Sequence, residues 1–381
     1  MWVFNQFDPD QFLKEFWQKK PCLFREVINI TDPIISPEEL AGLACENEVH
    51  SRLVIEKDAK SRWQVKYGPF NDDDFLSLPQ DHYSLLVSEC EKWIPEFDDL
   101  LALFQFIPAW RIDDLMVSYA ANHGSVGPHV DEYDVFLIQS MGQRRWMYGE
   151  SRIESPQLID GLELAILENC QFDHDEILNP GDMLYLPPGI AHHGVAVNPC
   201  MTWSVGFRAP DASDLLESIN LELDHRSIKT QRYSDPNLQT DRSTHEITPT
   251  EMDRFRQLIQ ERLSLDESVW HDAIGKMLSD VNLEQISDQT DSMNKNPVNV
   301  SGWVRHVDTR WLYFKDITSL RFYCNGQSWT LDYNKYRHEQ LDTLCSSGIL
   351  DQNTIESWLS DPDLSTLLSG LISIGAISRD T

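Results

Sequence analysis

Residues 110–210 constrain the fold most, because they consist of short runs rich in β-branched and aromatic residues, separated by Gly and Pro. The runs include DLMVSYA, YDVFLIQ, RRWMYG, DMLYLP and MTWSVGF. No helical pattern interrupts them, and strands at this spacing favour an antiparallel sandwich or barrel. We therefore expect a mainly β protein with some helices, whose chemistry resides in this stretch.

The charge of the chain is strongly acidic. Its 381 residues carry 31 Lys and Arg against 62 Asp and Glu, a formal net charge of −31. Such a field repels nucleic acid and anionic membranes and attracts basic partners, although solubility alone also explains it. Seven cysteines without a C-x-x-C pair, and no run of 18 apolar residues, favour a reducing compartment. We expect a cytoplasmic protein that binds neither nucleic acid nor membrane.

The strand-rich stretch ends the first predicted domain, 1–210, whose N-terminal part mixes short helices and strands. Residues 211–281 have the apolar spacing of helices, which fits either ordinary packing or a segment that forms a homodimer. Residues 282–299 are polar and lack aromatic residues, which predicts a linker. Residues 300–381 show strands and then two helices, the order of a winged helix, and their acidic helices favour protein contacts over DNA.

Three residues form a candidate metal site. In GPHVDEYDVF, His129 and Asp131 are two positions apart within a predicted strand, so both side chains project from one face. A later strand closes with the Pro187-Pro188-Gly189 turn, and His192 follows. Two imidazoles and one carboxylate leave coordination positions open, which suits a non-haem Fe(II) oxygenase. A structural zinc site would instead have four protein ligands.

An arginine between these motifs is a candidate anchor for a carboxylate. Arg144 begins the predicted strand that follows the Gly142 turn. A dicarboxylate that chelates iron at one end leaves its other carboxylate free, and an arginine fork pairs with such a group. Arg145 is the competing candidate, and alternation along the strand points only one of the two inward.

The segments GPHVDEYDVFLIQSMGQRRW, PGDMLYLPPGIAHHG and TWSVGFRAP resemble the JmjC-type oxygenases of the cupin superfamily. Within that group the chain is most similar to the bacterial ribosomal oxygenases, and FWQKKP, WRIDDLMVSY and RYSDPN extend the resemblance over most of its length. The resemblance implies a double-stranded β-helix (cupin or jelly-roll) core in a JmjC catalytic domain. It also implies hydroxylation of an arginine in a large-subunit ribosomal protein, with dioxygen as a cosubstrate.

Carried over residue by residue, the resemblance implies His129, Asp131 and His192 as catalytic Fe(II) ligands. It implies that Ser118 and Arg144 bind 2-oxoglutarate. The residue after the last ligand is His193, where an acid is expected in the family, and this puts details of the substrate loop in doubt.

Three alternatives stay open: a histidyl hydroxylase, a lysine demethylase, and a non-catalytic cupin scaffold. An intact ligand set with an internal carboxylate anchor argues against the scaffold. Tyr133 is a candidate wall of the substrate pocket, and plain core packing explains it equally well. The acidic run between residues 71 and 100 is a candidate docking surface for a basic substrate protein, or merely a solvated face.

Overall fold

The structure is a computed structural model that describes residues 2–56, 63–229, 231–236, 245–280, 302–347 and 349–379. The predicted linker, 282–299, lies outside the described residues. The chain divides into two compact units, Met1–Ala209 and Pro210–Thr381. No helix within the described ranges is long and apolar enough to span a bilayer.

The first unit is dominated by strands. Its helices are α1 (Pro9–Glu15), α2 (Pro37–Leu43), α3 (Asp72–Leu76) and α4 (Glu96–Leu101). Its strands are β1 (Cys22–Phe24), β2 (Ser51–Glu56), β3 (Trp63–Tyr67), β4 (Tyr83–Val87), β5 (Ile112–Ala120), β6 (Asp134–Met141), β7 (Arg144–Arg152), β8 (His174–Leu178), β9 (Met183–Leu186), β10 (Ile190–Ala196) and β11 (Cys200–Phe207). Short 3-10 turns lie at Cys90–Lys92, Ala102–Phe104 and Ala109–Arg111.

The strands of the first unit form two antiparallel sheets. The larger sheet has the order β1-β9-β6-β11-β5-β4-β2-β3, and the smaller has the order β10-β7-β8. The order is not sequential, since β11 lies between β5 and β6, and this interleaving produces the jelly-roll arrangement. The expected mainly β fold with a double-stranded β-helix core is confirmed.

The central strand β11 separates two environments. On one face, Trp203, Val205 and Phe207 join the main apolar core, where each buried side chain of this size contributes about 1.5 to 3 kcal/mol. On the other face, at alternate positions, stand Thr202, Ser204 and Gly206. The neighbouring strand β5 repeats the pattern. Leu115 and Val117 point into the core, and the residues between and beside them, Asp114, Met116 and Ser118, point to the opposite face. This polar face lines the candidate site.

The second unit is helical and then mixed. Helices α5 (Ala212–His225), α6 (Pro249–Leu263) and α7 (Glu267–Ser279) come first. They are followed by β12 (Gly302–Arg305), β13 (Trp311–Lys315), β14 (Ser319–Cys324), β15 (Gln327–Asp332), α8 (Lys335–Ser347), β16 (Ile349–Asp351), α9 (Gln352–Leu359), α10 (Pro362–Ser373) and β17 (Ile377–Arg379).

The last eighty residues contain more elements than the sequence predicted. Three helices, α8 to α10, follow the hairpin rather than two, and the strands form two small sheets, β13-β14-β15 and β16-β12-β17. The two predicted helices correspond to α8 and α9, so the additional helix is α10, which only Ser360 and Asp361 separate from α9. The winged-helix assignment itself stays a prediction.

Candidate active site

His129 and Asp131 precede a strand instead of lying within one, so that part of the prediction is wrong. They occupy the loop between β5 and β6, and β6 begins only at Asp134. Pro128 has no amide hydrogen with which to extend a strand ladder, so pairing is limited to one isolated bridge between His129 and His192. The backbone at His129 and Asp131 still carries their side chains to the same place.

His192 comes from the smaller sheet. The Pro187-Pro188-Gly189 turn joins β9 to β10, and His192 is the third residue of β10, so the motif opens a strand rather than closing one. His129 and His192 exchange two main-chain hydrogen bonds, with N···O distances of 3.0 and 2.9 Å. Two residues far apart in sequence are therefore held directly opposite each other.

The three predicted ligands converge. Their ligand atoms all lie within 4.8 Å of one another. Asp131 Oδ1 lies 3.8 Å from His129 Nε2, and Asp131 Oδ2 lies 3.5 Å from His192 Nε2. Such a cluster of two imidazoles and a carboxylate can hold one transition-metal ion and leave other coordination positions open.

Hydrogen bonds orient both imidazoles. Nδ1 of His129 donates to the Gly127 carbonyl oxygen at 2.9 Å, and Nδ1 of His192 donates to the Ile190 carbonyl oxygen at 2.9 Å. With the proton on Nδ1, each Nε2 presents its lone pair toward Asp131. Burial, with a contribution from His129, lowers the pKa of His192 to about 4, so this ring is neutral at physiological pH.

Arg144 is buried at the start of β7, as its predicted role requires. Its Nη1 donates to Ser118 Oγ over 3.5 Å and its Nη2 donates to the Gly194 carbonyl over 3.4 Å, which are long hydrogen bonds. Its Nε has no hydrogen-bond partner among the described residues. Burial lowers the pKa of Arg144, since the charged form is poorly solvated there. Trp146 contacts both the Arg144 guanidinium and the His192 ring, so an incompletely hydrogen-bonded buried cation lies one side chain away from a metal ligand, which fits an incoming carboxylate.

Arg145 and His193, the neighbours of Arg144 and His192, point elsewhere. Arg145 is exposed, and its Nε donates to Asp175 at 2.6 Å. His193 directs Nε2 to Ser125 Oγ at 3.0 Å and is absent from the ligand cluster. Burial and the nearby Arg144 lower the pKa of His193 to about 4. The predicted alternation along both strands is confirmed.

Tyr133 lies at the edge of the site and is not a core residue, since 41% of it is exposed. Partial burial raises its pKa, and the carboxylates of Asp131 and Asp114 add to the effect. A phenol whose ionisation is opposed by neighbouring carboxylates marks a region of negative potential.

Asp114 is a carboxylate of this region that the sequence analysis did not single out. A Cβ built on Gly206 would lie 3.3 Å from Asp114 Oδ1 and 3.7 Å from Tyr133 Cε2, so Gly206 lies between these two side chains and a larger residue there would contact both. The signal was present in the sequence, because Asp114 is four residues before Ser118 in one strand and thus on the same face.

Comparisons with known proteins agree with this geometry. The JmjC domain family model matches residues 99–215. The chain is 35% identical over 378 residues to the ribosomal protein uL16 3-hydroxylase of Escherichia coli, covering 96% of each chain. It is 32% identical to a probable ribosomal oxygenase of Haemophilus influenzae, covering 90% of this chain and 87% of the other.

Solved structures give the same result. The Escherichia coli ribosomal oxygenase YcfD, in a complex with cobalt and 2-oxoglutarate, superposes over all of both chains with a TM-score of 0.80 and 31% identity. Both the sequence similarity and the structural similarity extend over nearly the whole chain, well beyond the JmjC segment. The chain therefore belongs to the JmjC-domain 2-oxoglutarate oxygenases of the cupin superfamily, among the bacterial ribosomal oxygenases.

Proposed function

We propose that this protein is an Fe(II)- and 2-oxoglutarate-dependent hydroxylase of an arginine side chain in a large-subunit ribosomal protein. The observation that carries the proposal is the His129, Asp131 and His192 cluster, next to the buried and incompletely paired Arg144. The similarity to a uL16 3-hydroxylase over 96% of the chain supports the class of substrate.

In this proposal His129, Asp131 and His192 hold the iron. Bound iron supplies the activation of dioxygen and the oxidation of a C–H bond. The protein holds both imidazoles as neutral ligands through their Nδ1 hydrogen bonds to Gly127 and Ile190. Asp131 supplies the one negative charge of the ligand set and faces both rings.

Arg144 and Ser118 bind the distal carboxylate of 2-oxoglutarate. The guanidinium and the Ser118 hydroxyl already lie within 3.5 Å of each other. A carboxylate that accepts from both adds a charged acceptor to the guanidinium, whose present hydrogen bonds are long and go to neutral oxygens. Because Arg144 is fixed in advance by burial and by the face of Trp146, 4.9 Å from its guanidinium carbon, little ordering is needed on binding.

The substrate side chain enters past Tyr133 and Asp114. Besides burial, the carboxylates of Asp131 and Asp114 each oppose the ionisation of Tyr133 more than Arg52 favours it, and Asp113 adds to their effect on the pKa. A guanidinium satisfies such a site well, since it pairs with a carboxylate through two parallel hydrogen bonds and stacks on an aromatic face. This electrostatic character favours arginine over histidine, which is largely neutral at physiological pH.

The test is mass spectrometry of ribosomal proteins incubated with the full chain, Fe(II) and 2-oxoglutarate. We expect one large-subunit protein to gain the mass of one oxygen atom, and fragmentation to locate it on an arginine. Asp131→Ala should abolish the gain. Asp114→Asn should raise the KM for the protein substrate and leave the KM for 2-oxoglutarate unchanged. Oxygen found on a histidine, or loss of methyl groups from a lysine, would support the alternative activities instead.

The proposed substrate also bears on partners and location. A ribosomal-protein substrate implies work in the cytoplasm, and the seven cysteines, all free thiols, are compatible with a reducing compartment. With a net charge of −31, we expect recognition of a basic protein rather than direct binding of nucleic acid.

Helix α6 is the proposed contact for a homodimer. All of its residues lie in the described part of the chain, and none of them is buried there. Met252, Phe255 and Ile259, three and four positions apart, are exposed and share one helical face. A second copy of the chain is the partner proposed for this face.

A further inference from the structure

The loop that carries His129 is supported along its length by β10. His123 N donates to the Ala196 carbonyl, and Ala196 N donates to the Gly124 carbonyl, each at 3.0 Å. Farther along, the main chains of His129 and His192 pair through the two hydrogen bonds already described. Residues 123–129 therefore lie beside β10, and between these two attachments lies Gly127.

Gly127 is a residue of this loop whose type does little to fix its own backbone conformation. Its φ is +83°, a conformation that glycine adopts without strain and other residues rarely adopt. Its carbonyl oxygen accepts the Nδ1 hydrogen of His129, so the orientation of this peptide group sets the orientation of the imidazole. On its carboxyl side the loop is held by Leu167, whose N donates to the Pro128 carbonyl at 2.8 Å.

Ser125 and His193 supply a further restraint, on the amide side of Gly127. Ser125 is 2% exposed, and its Oγ accepts from Gly127 N at 3.1 Å. The same Oγ lies 3.0 Å from His193 Nε2. A serine hydroxyl has one hydrogen and two lone pairs, so it can hold both partners at once. The contacts form a continuous path from His193 through Ser125 and Gly127 to His129.

We propose that His193 is a positioning residue for His129, acting through Ser125 and Gly127. The inference rests on the proposed function, since it assumes that His129 is a metal ligand. The two consecutive histidines of β10 then serve the same metal site from opposite faces of the strand: His192 as a ligand, and His193 as the support of the other imidazole. Partners of this kind change metal affinity when they are removed.

The test measures metal binding, without turnover. Co(II) is titrated into the metal-free full chain by calorimetry, and its visible absorption spectrum reports the ligand geometry. We expect Ser125→Ala and His193→Leu each to weaken Co(II) affinity by about 10- to 100-fold and to change the spectrum. His193→Gln, whose amide reaches the position of Nε2, should restore most of the affinity. The double variant should lose little more than either single one, because both substitutions break the same path.

Matched controls separate positioning from folding. Ser140→Ala removes another buried hydroxyl, which donates to the Met201 carbonyl in the core, and His174→Leu removes a histidine that contacts Glu150 on the neighbouring strands. Neither control should alter the spectrum. Wild-type affinity and spectrum in both Ser125→Ala and His193→Leu would overturn the proposal, as would losses no larger than those of the controls. His129→Ala tests the proposed function separately. Full Co(II) affinity in that variant would show that His129 is not a metal ligand and would contradict the proposed metal site.

Discussion

Arg144 begins a strand of the smaller sheet and Ser118 lies in the larger sheet, yet Arg144 Nη1 donates to Ser118 Oγ at 3.5 Å. The hydrogen bond thus joins the two sheets inside the first unit. It is long, and Arg144 Nε beside it has no partner within the described residues. Both features fit the proposed pairing of this guanidinium with a ligand carboxylate.

Removing that guanidinium should selectively impair the binding of 2-oxoglutarate. Arg144→Ala leaves a buried carboxylate without its partner, which costs about 2 to 5 kcal/mol. We expect the KM for 2-oxoglutarate to rise by at least tenfold while Co(II) affinity stays within twofold of wild type. Arg145→Ala is the matched control, since Arg145 pairs with Asp175 at the surface. If the KM for 2-oxoglutarate is unchanged in Arg144→Ala and raised in Arg145→Ala, then Arg145 and not Arg144 binds the carboxylate.

Substitutions of His192 and His193 should have different effects on metal binding and turnover. His192→Ala, like His129→Ala and Asp131→Ala, deletes a metal ligand, so Co(II) binding and the turnover of 2-oxoglutarate should disappear. His193→Ala keeps all three ligands, so turnover at saturating iron should remain substantial even though metal affinity falls. Titration of metal against 2-oxoglutarate consumption checks both. Metal binding that survives in His192→Ala and is lost in His193→Ala would reverse the assignment.

Substrate recognition should depend on salt. The acidic run is not a uniform surface: Asp74 completes the capping box of α3 and its Oδ1 lies 3.7 Å from Lys66 Nζ, whereas Asp72 and Asp73 are exposed. Charges at the edge of a binding surface act mainly on the rate of encounter with the partner, and dissolved salt screens them over about 8 to 10 Å. Raising salt should therefore increase the KM for the protein substrate more than that for 2-oxoglutarate. Asp72→Lys with Asp73→Lys should weaken substrate association and flatten that dependence, as measured by steady-state kinetics. If the KM for the protein substrate does not change with salt, the acidic run is a solvated face and not a docking surface for the substrate.

The dimer proposal can be tested at α6. Phe255→Glu introduces a charge into the face shared with Met252 and Ile259, and burying that charge in an interface is unfavourable. We expect a shift from dimer to monomer in sedimentation velocity. Gln257→Glu adds a charge at an exposed position of the same helix and serves as the control. A monomeric wild type, or an unchanged dimer in Phe255→Glu, would contradict the proposal.

Stability should vary with pH through Glu91. Burial raises the pKa of Glu91 from its ordinary value of 4.5 to about 8, and the nearby Asp114 adds to the effect. The folded protein thus holds the proton more tightly than the unfolded chain, so the contribution of Glu91 to stability is greatest below pH 4.5 and is lost as the pH rises toward 8.

Glu91→Gln keeps an oxygen that can accept from Leu115 N, the partner of Glu91 at 2.9 Å, and does not ionise. Its Tm should therefore gain several degrees on wild type between pH 5 and pH 9. Glu154→Gln, at an exposed loop position, should show no such trend. A Tm difference independent of pH would mean that Glu91 titrates as an ordinary surface carboxyl.

Much of the candidate site could be predicted from local patterns. The two-residue spacing of His129 and Asp131 indicated a shared metal site, although both residues lie in a loop, and strand alternation separates Arg144 from Arg145 and His192 from His193. These patterns depend only on residues that are close in sequence, so they can be predicted from the sequence alone. The same alternation would have revealed Asp114, which shares a face of β5 with Ser118.

Other features depend on residues that are distant in sequence. The sequence by itself determined the strand-rich core, the three candidate ligands and the fact that only one of Arg144 and Arg145 faces inward, because each follows from local periodicity and side-chain chemistry. Only the tertiary structure decided that His129 stands in a loop against β10, that Gly206 leaves room between Asp114 and Tyr133, and that Ser125 links His193 to Gly127. The physical reason is that these relationships arise where the interleaved strands and the loops between them pack, and no local pattern encodes which segments will meet.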